Sequence, residues 1–207
     1  ISDDYMQLSN GIIDDTDYDS IRQGDPDPDG DEDPNIKGWD LVLQRTHDLV
    51  KEVSEQTFNK TLHLYCHKDF VLGFGEKSKY SIAGLTDSES AYKETSVMPQ
   101  YQDSVQLVDL SASLPCNYHE FQLIISLPHP ERDVNSPVVS AHEISRILNE
   151  DGFCVMGAPA KVWKNGLANQ LEECEKQQKI RIYSMQYTEL DDYKCLYYTA
   201  LIRGGGD

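Results

Sequence analysis

The sequence predicts an α/β fold: a seven-stranded, mostly parallel sheet with helices on both faces and an antiparallel hairpin at its carboxyl end. From residue 38 onward, short apolar runs typical of buried strands alternate with longer amphipathic segments typical of helices. Such alternation favours a parallel sheet with right-handed crossovers. The last two apolar runs are joined by a short turn at Asp191 and Asp192, which only antiparallel neighbours permit.

The elements follow from the spacing of apolar residues along the domain. The pattern predicts helices over residues 39–57, 137–149 and 160–178. It predicts strands over residues 61–67, 80–87, 104–110, 120–128, 152–159, 180–189 and 193–203. The final strand is expected to lie antiparallel at or near one edge of the sheet.

Charge divides the chain into two parts. The net charge is −18 over 207 residues, and residues 1–35 hold twelve acidic residues against the single base Arg22. We therefore expect an acidic, Pro/Asp-rich arm or linker over residues 1–37, without a core of its own. Residues 38–207 are expected to form the domain.

The negative field excludes some partners and favours others. Naked nucleic acid and anionic membrane surfaces are disfavoured, because both attract basic proteins. A basic protein surface or a small molecule fits better, and no apolar run approaches the ~18 residues that span a bilayer. The five cysteines form no CxxC pair, which argues against a zinc site or disulfides and predicts an intracellular, reducing compartment. This is the cytoplasm or nucleus, or an organelle if a leader preceded Ile1.

The arm contains a partial calcium-loop pattern. Asp25, Asp27 and Asp29 with Gly30 match the first half of an EF-hand loop. The twelfth position, where a bidentate acid is required, is Ile36. We expect no metal here and prefer a solvated linker, with calcium binding by the three aspartates as the alternative.

Three stretches of the domain resemble the class I S-adenosylmethionine-dependent methyltransferases, a Rossmann-like family. "HEFQLIISLPHP" (119–130) is similar to the family's fourth strand, and "HEISRILNEDGFCVMGAP" (142–159) to its next helix, turn and strand. "YKCLYYTALIRG" (193–204) is similar to the last strand of its antiparallel hairpin. The resemblance covers residues 58–204 and implies this family's fold, with S-adenosylmethionine as the cofactor of an active member.

The cofactor turn departs from the family's pattern. The family has a glycine-rich turn after its first strand, which lets the backbone approach the cofactor. In this chain Cys66 to Phe70 stand there, and no glycine occurs before Gly73. A match that uses Gly73 and Gly75 leaves too few residues for a crossover helix. We therefore expect side chains to fill this site and no cofactor to bind there. The chain would then be a degenerate member of the family.

Two aspartates stand where the family contacts adenosine. Asp87 follows the second strand, where the resemblance implies an acid that binds the ribose hydroxyls. Asp109 ends the third strand, where it implies a group near the adenine amine. The alternative for each is a cap on the helix or turn that follows, a common use of aspartate.

The segment after the fourth strand supplies the candidate catalytic residue. Methyltransferases that act on nucleobases carry N-P-P-Y or D-P-P-W here, whereas this chain has Ser126-Leu127-Pro128-His129-Pro130. His129 is the candidate general base, since histidine titrates near neutral pH. The alternative is an exposed loop histidine.

These observations favour a non-catalytic methyltransferase-like subunit, a pseudoenzyme that serves as a scaffold or partner-binding module in a protein assembly. Its partner would be a basic protein surface or a catalytic methyltransferase subunit. The first alternative is an active methyltransferase with a divergent cofactor loop, acting on a protein or small molecule. A nucleotide-binding enzyme that uses Gly73 and Gly75 is a further alternative.

Overall fold

The computed structural model describes residues 11–12, 35–53, 60–70, 81–101 and 104–205. The calcium candidates Asp25, Asp27 and Asp29 lie outside the described residues. Gly73 and Gly75, the glycines of the alternative cofactor turn, lie outside them as well.

Seven strands form one sheet in the order β3-β2-β1-β4-β5-β7-β6. Their bounds are β1 Lys60–Leu64, β2 Ser81–Thr86, β3 Val105–Leu107, β4 Phe121–Ser126, β5 Leu148–Pro159, β6 Ile180–Leu190 and β7 Cys195–Gly204. β1 to β5 pair in parallel, whereas β7 is antiparallel to both of its neighbours. The predicted sheet and its terminal hairpin are confirmed, with β7 one place in from the edge strand β6.

The three predicted helical regions are helical with shifted ends, and a further short helix, at Glu89–Thr95, was not predicted. The helices are α1 Gly38–Val53, α2 Glu89–Thr95, α3 Ala141–Ile147, α4 Ala160–Val162 and α5 Ala168–Lys176, with a 3₁₀ turn at Pro99–Tyr101 and a π-helical turn at Trp163–Leu167. α3 begins later than predicted because the Ser140 side chain accepts from the Glu143 amide at 3.1 Å and caps the first turn. It ends at Ile147 because Leu148 already has extended dihedral angles and begins β5.

Apolar side chains cover both faces of the sheet. On one face, α3 and α5 contribute Ile144 and Leu171 to a core cluster that includes Leu62 of β1. On the other face, Val42 of α1 packs in a second cluster with Leu123 of β4. Burial on both faces explains why the central parallel strands are nearly continuous apolar runs. Ile12, from the acidic segment, is 2% exposed and belongs to the first cluster.

The exposed edge of β6 is partly occupied by side chains of two helices. The Ile182 amide donates to the Glu175 carboxylate of α5 at 3.1 Å. At the other end of β6, the Arg45 guanidinium of α1 donates to the Tyr187 carbonyl at 3.0 Å and to the Thr188 hydroxyl at 2.9 Å. Main-chain groups that would be open to another strand are thereby used within the domain.

Gly157 of β5 is closely packed where the sheet meets the loop after β4, and a larger residue there would test this packing. A Cβ at this position would lie 2.6 Å from a ring carbon of Tyr197 and 2.7 Å from a methyl carbon of Leu127. Because both neighbours are buried, we expect Gly157→Ala to lower the free energy of unfolding by about 1–3 kcal/mol. Urea denaturation measures the change.

Gly11→Ala is the matched control, since no atom of the described residues lies within 4 Å of its added Cβ. We expect it to change the stability by less than about 0.5 kcal/mol. Equal effects of the two variants would contradict the packing around Gly157.

Candidate functional site

The topology identifies where a ligand site belongs in this sheet. The chain adds β2 and β3 on one side of β1 and then returns to place β4 on the other side. In open α/β sheets, ligands bind outside the carboxyl ends of the strands at such a switch point. The groups that follow β1, β2 and β4 therefore define the candidate site.

Bulky side chains follow β1 at this switch point. Tyr65 comes directly after the strand with φ 57°, a left-handed conformation that favours glycine. Cys66 and Phe70 are each 3% exposed, and Tyr65 is 9% exposed. Burial raises the pKa of Tyr65 to about 12, so its hydroxyl stays protonated at neutral pH. The backbone turns here, but the side chains of the turn occupy the space that a glycine-rich turn would leave open for a ligand.

An ion pair crosses the end of β1. Arg132, from the loop after β4, donates to both carboxylate oxygens of Asp87, at 2.9 Å and 2.7 Å. Asp87 comes directly after β2, and the Arg132 guanidinium lies 5.2 Å from the centre of the Tyr65 ring. Because β1 lies between β2 and β4, this bidentate pair spans the carboxyl end of β1 at the switch point. Its side chains are 21% and 26% exposed.

Three further hydrogen bonds hold the β4–α3 loop, residues 127–140, in this position. The Tyr197 hydroxyl of β7 donates to the Pro128 carbonyl at 2.9 Å. The Val139 amide donates to the Tyr65 hydroxyl at 2.9 Å. Arg132 itself donates to the Pro137 carbonyl at 3.1 Å. The loop is thus tied to β7 at its start, and Arg132 and Tyr65 hold its second half.

Asp109 lies apart from the ion pair and binds its own turn. Its carboxylate accepts from the Ser111 amide at 2.9 Å and from the Ser111 hydroxyl at 2.7 Å. The Ser111 hydroxyl and then the Ser111 amide lower the pKa of the Asp109 carboxyl, which is fully exposed. This is the geometry expected of a turn-capping aspartate.

His129 lies in a cluster of aromatic rings at the carboxyl ends of β1 and β4. Its ring centroid is 5.0 Å from that of Trp39, 5.6 Å from Tyr193 and 6.4 Å from His67. Its Nδ1 accepts from the Glu131 amide at 3.1 Å. Burial lowers the pKa of His129 and His67 lowers it further, while Glu131 acts in the opposite direction. His129 is therefore packed among rings rather than free in a loop.

A second histidine is buried beneath the site. His63 of β1 is 2% exposed, and its Nδ1 lies 2.6 Å from the Tyr101 hydroxyl. Burial lowers the pKa of His63 to about 3, with smaller contributions from His67 and His47. Burial also raises the pKa of Cys66 to about 12, so this thiol stays protonated and unreactive at neutral pH.

The described residues supply no cluster of three or more His, Cys, Asp or Glu side chains that could hold a metal ion. All five cysteines are free thiols. Within the described helices, none is both long and apolar enough to cross a membrane.

The structure brings Asp87 and His129 to the same end of the sheet and leaves Asp109 bound to its own turn. The sequence did not single out Tyr65 or Arg132, which join these elements. One feature of the sequence could have pointed to Arg132, because it is the only Lys or Arg between Lys93 and Arg146. No feature of the sequence pointed to Tyr65, since its left-handed backbone conformation is a property of the folded turn.

Comparison with known proteins identifies the fold. The [4+2]-cyclase SpnF matches with a TM-score of 0.59 and 15% identity, over 86% of each chain. The N-methyltransferase NodS from Bradyrhizobium japonicum WM9, in complex with S-adenosyl-L-homocysteine, matches with a TM-score of 0.57 and 14% identity, over 98% of this chain and 99% of that one. A TehB-like methyltransferase from Corynebacterium glutamicum matches with a TM-score of 0.51 and 16% identity, over 80% and 97%.

No protein-family model and no curated protein matches the sequence. The structural matches and the strand order together show the fold of the class I S-adenosylmethionine-dependent methyltransferases. The predicted resemblance is confirmed at the level of the fold.

The buried His63 makes stability depend on pH. A histidine with a lowered folded pKa stabilises the protein above its unfolded pKa of 6.5, and this contribution is lost as the pH falls toward about 3. We expect the free energy of unfolding to fall by up to about 1.4 kcal/mol per pH unit from this group in that window. Denaturant titrations at several pH values measure the slope.

His63→Leu combined with Tyr101→Phe removes both members of the hydrogen-bonded pair. Because neither polar group is then left unpaired, we expect the variant to fold and to show a slope smaller by about one proton. The same slope in both proteins would contradict a neutral, buried His63.

Proposed function

We propose that this chain is a non-catalytic methyltransferase-like subunit that binds a protein partner in an assembly. The Arg132–Asp87 ion pair carries the proposal, because the residue expected to bind a ribose is bonded to a side chain of the same domain. Tyr65 supports it further, since its ring lies beneath Arg132 at the switch point. A cofactor would have to displace both groups.

Charge indicates the kind of partner. Residues 1–35 carry eleven of the eighteen net negative charges of the chain. Such a segment attracts a basic surface through long-range electrostatics. A basic protein surface, including that of a catalytic methyltransferase subunit, therefore suits the acidic arm.

The alternative is an active methyltransferase that acts on a protein or small molecule. It is favoured by the position of Asp87 directly after β2 and by the fold that this chain shares with NodS, whose structure contains S-adenosyl-L-homocysteine. The fold alone does not select the chemistry, because SpnF, named a cyclase, shares it too.

Cofactor binding distinguishes the two functions. We expect neither S-adenosylmethionine nor S-adenosylhomocysteine to bind at physiological concentration, because Arg132 holds Asp87 and Tyr65 fills the turn. Calorimetry should detect no binding heat. Ligand at about 100 times a dissociation constant would add about 2.7 kcal/mol of stability, which a thermal-shift assay would detect.

Asp87→Ala separates a structural from a ligand-binding role. Under the proposal it leaves Arg132 half-buried and unpaired and lowers stability by about 1–3 kcal/mol, without a change in ligand binding. Asp40→Ala, at an exposed position of α1, is the control for loss of one charge. A low-micromolar affinity for S-adenosylmethionine that Asp87→Ala abolishes would support the active enzyme instead.

The acidic arm gives a separate prediction. We expect the full chain to bind a lysine-rich peptide and the triple variant Asp25→Asn, Asp27→Asn, Asp29→Asn to bind it more weakly, because three of the arm's negative charges are removed. Fluorescence anisotropy at rising salt concentration measures both affinities, and the difference should shrink with salt. Equal binding by both proteins, or ordering of the arm by micromolar calcium, would contradict this use of the aspartates.

A further inference from the structure

The amino-terminal end of α1 is held against the sheet by rings that include two histidines. Trp39, in the first turn of α1, lies edge-on to His129 at 5.0 Å and to His67 at 6.3 Å between ring centroids. The two imidazoles are nearly parallel and 6.4 Å apart. Trp39 also packs edge-on against Tyr197 at 5.2 Å. Two titratable rings therefore surround one indole.

The hydrogen bond to His129 requires its uncharged form. Its Nδ1 accepts from the Glu131 amide at 3.1 Å, so the ring proton of the neutral form is on Nε2. Protonation would place an N–H group on Nδ1, opposite another N–H group, and this hydrogen bond would be lost. Burial lowers the pKa of His129, and although Glu131 acts in the opposite direction and His67 lowers the pKa further, the net direction is downward.

His67 packs beside His129 without a hydrogen bond of its ring in the described part of the chain. Its Nδ1 is buried and has no hydrogen-bond partner among the described residues. Trp39 Nε1 is buried and unpartnered as well, and an indole N–H cannot accept a hydrogen bond. The Asp69 carboxylate is 4.0 Å from His67 Nδ1, beyond hydrogen-bond distance.

Charged groups of both signs lie around this pair of histidines. α1 presents Trp39, flanked by Lys37 and Asp40 at exposed positions, and the turn between β6 and β7 presents Tyr193 beside Asp192. The segments of the histidines themselves carry Lys68, Asp69 and Glu131. Asp69 is 57% exposed, so its attraction for an imidazolium is screened by water. Two positive rings side by side would repel each other.

We propose that His129 forms a pH-sensitive latch on α1: its uncharged ring, packed beside His67, holds Trp39 at neutral pH, and its protonation in acidic solution releases the amino-terminal turns of α1. A histidine that the folded state keeps neutral stabilises the contact above a pH of about 6.5 and ceases to do so as the pH falls through its folded pKa. The latch is independent of whether the domain binds a cofactor.

Hydrogen exchange of the full chain at pH 7.5 and pH 5.5, corrected for intrinsic rates, tests the latch. We expect the amides of residues 42–46, in the second turn of α1, to lose at least tenfold more protection than those of β7, which report on the whole domain. Acrylamide quenching should show the same change, with Trp39 becoming accessible while the buried Trp163 stays protected. Parallel loss of protection in α1 and β7 would overturn the proposal, as would an α1 that does not respond to pH.

The double variant His67→Phe, His129→Phe keeps two aromatic rings against Trp39 but removes the titrating groups. It should keep α1 protected at both pH values, whereas His119→Asn, at the opposite end of the sheet, should respond like the natural chain. Asparagine suits that position because His119 has φ 53°. If the double variant does not fold, His129→Gln alone should shrink the α1 response. An undiminished response in a folded double variant, or in His129→Gln, would overturn the proposal.

Discussion

The bidentate ion pair between Arg132 and Asp87 determines what the carboxyl end of this sheet can do. It joins the ends of β2 and β4 across β1, so the arrangement of the switch point depends on it. Tyr65 is held beneath it by the Val139 amide, and the β4–α3 loop is thereby fixed along its second half. Both charges are partly shielded from water and are stabilised by their partner, and the loop cannot move away without separating the two.

The sheet was largely predictable from the sequence because the features that determine it lie within short segments of the chain. Strands buried on both faces require continuous apolar runs, and the short turn at Asp191 and Asp192 requires an antiparallel hairpin. The limits of α3 were less predictable, since the Ser140 cap and the extended Leu148 decide them rather than the apolar period. Of the candidate site residues, Asp87 stands after the second strand as expected, but its partner Arg132 is 45 residues away in the chain and only the fold brings them together.

The candidate site shows that a residue's position in a shared fold does not by itself define its contacts. Asp87 stands where the resemblance implies a ribose contact, yet its carboxylate is bonded within the domain. Asp109 bonds its own turn, and His129 is packed against Trp39. Each of these side chains has a partner within the domain. Its position after a strand therefore does not by itself define its chemical role.

The occupied edge of β6 has a consequence for how the protein behaves at high concentration. An eleven-residue edge strand is an ordinary starting point for aggregation, because an unfolded or neighbouring chain can add to it strand by strand. Here Glu175 binds one end of that strand and Arg45 the other, and the strand at the opposite edge, β3, is only three residues long. Fibre growth at the β6 edge would first have to break contacts that also hold α1 and α5 in place.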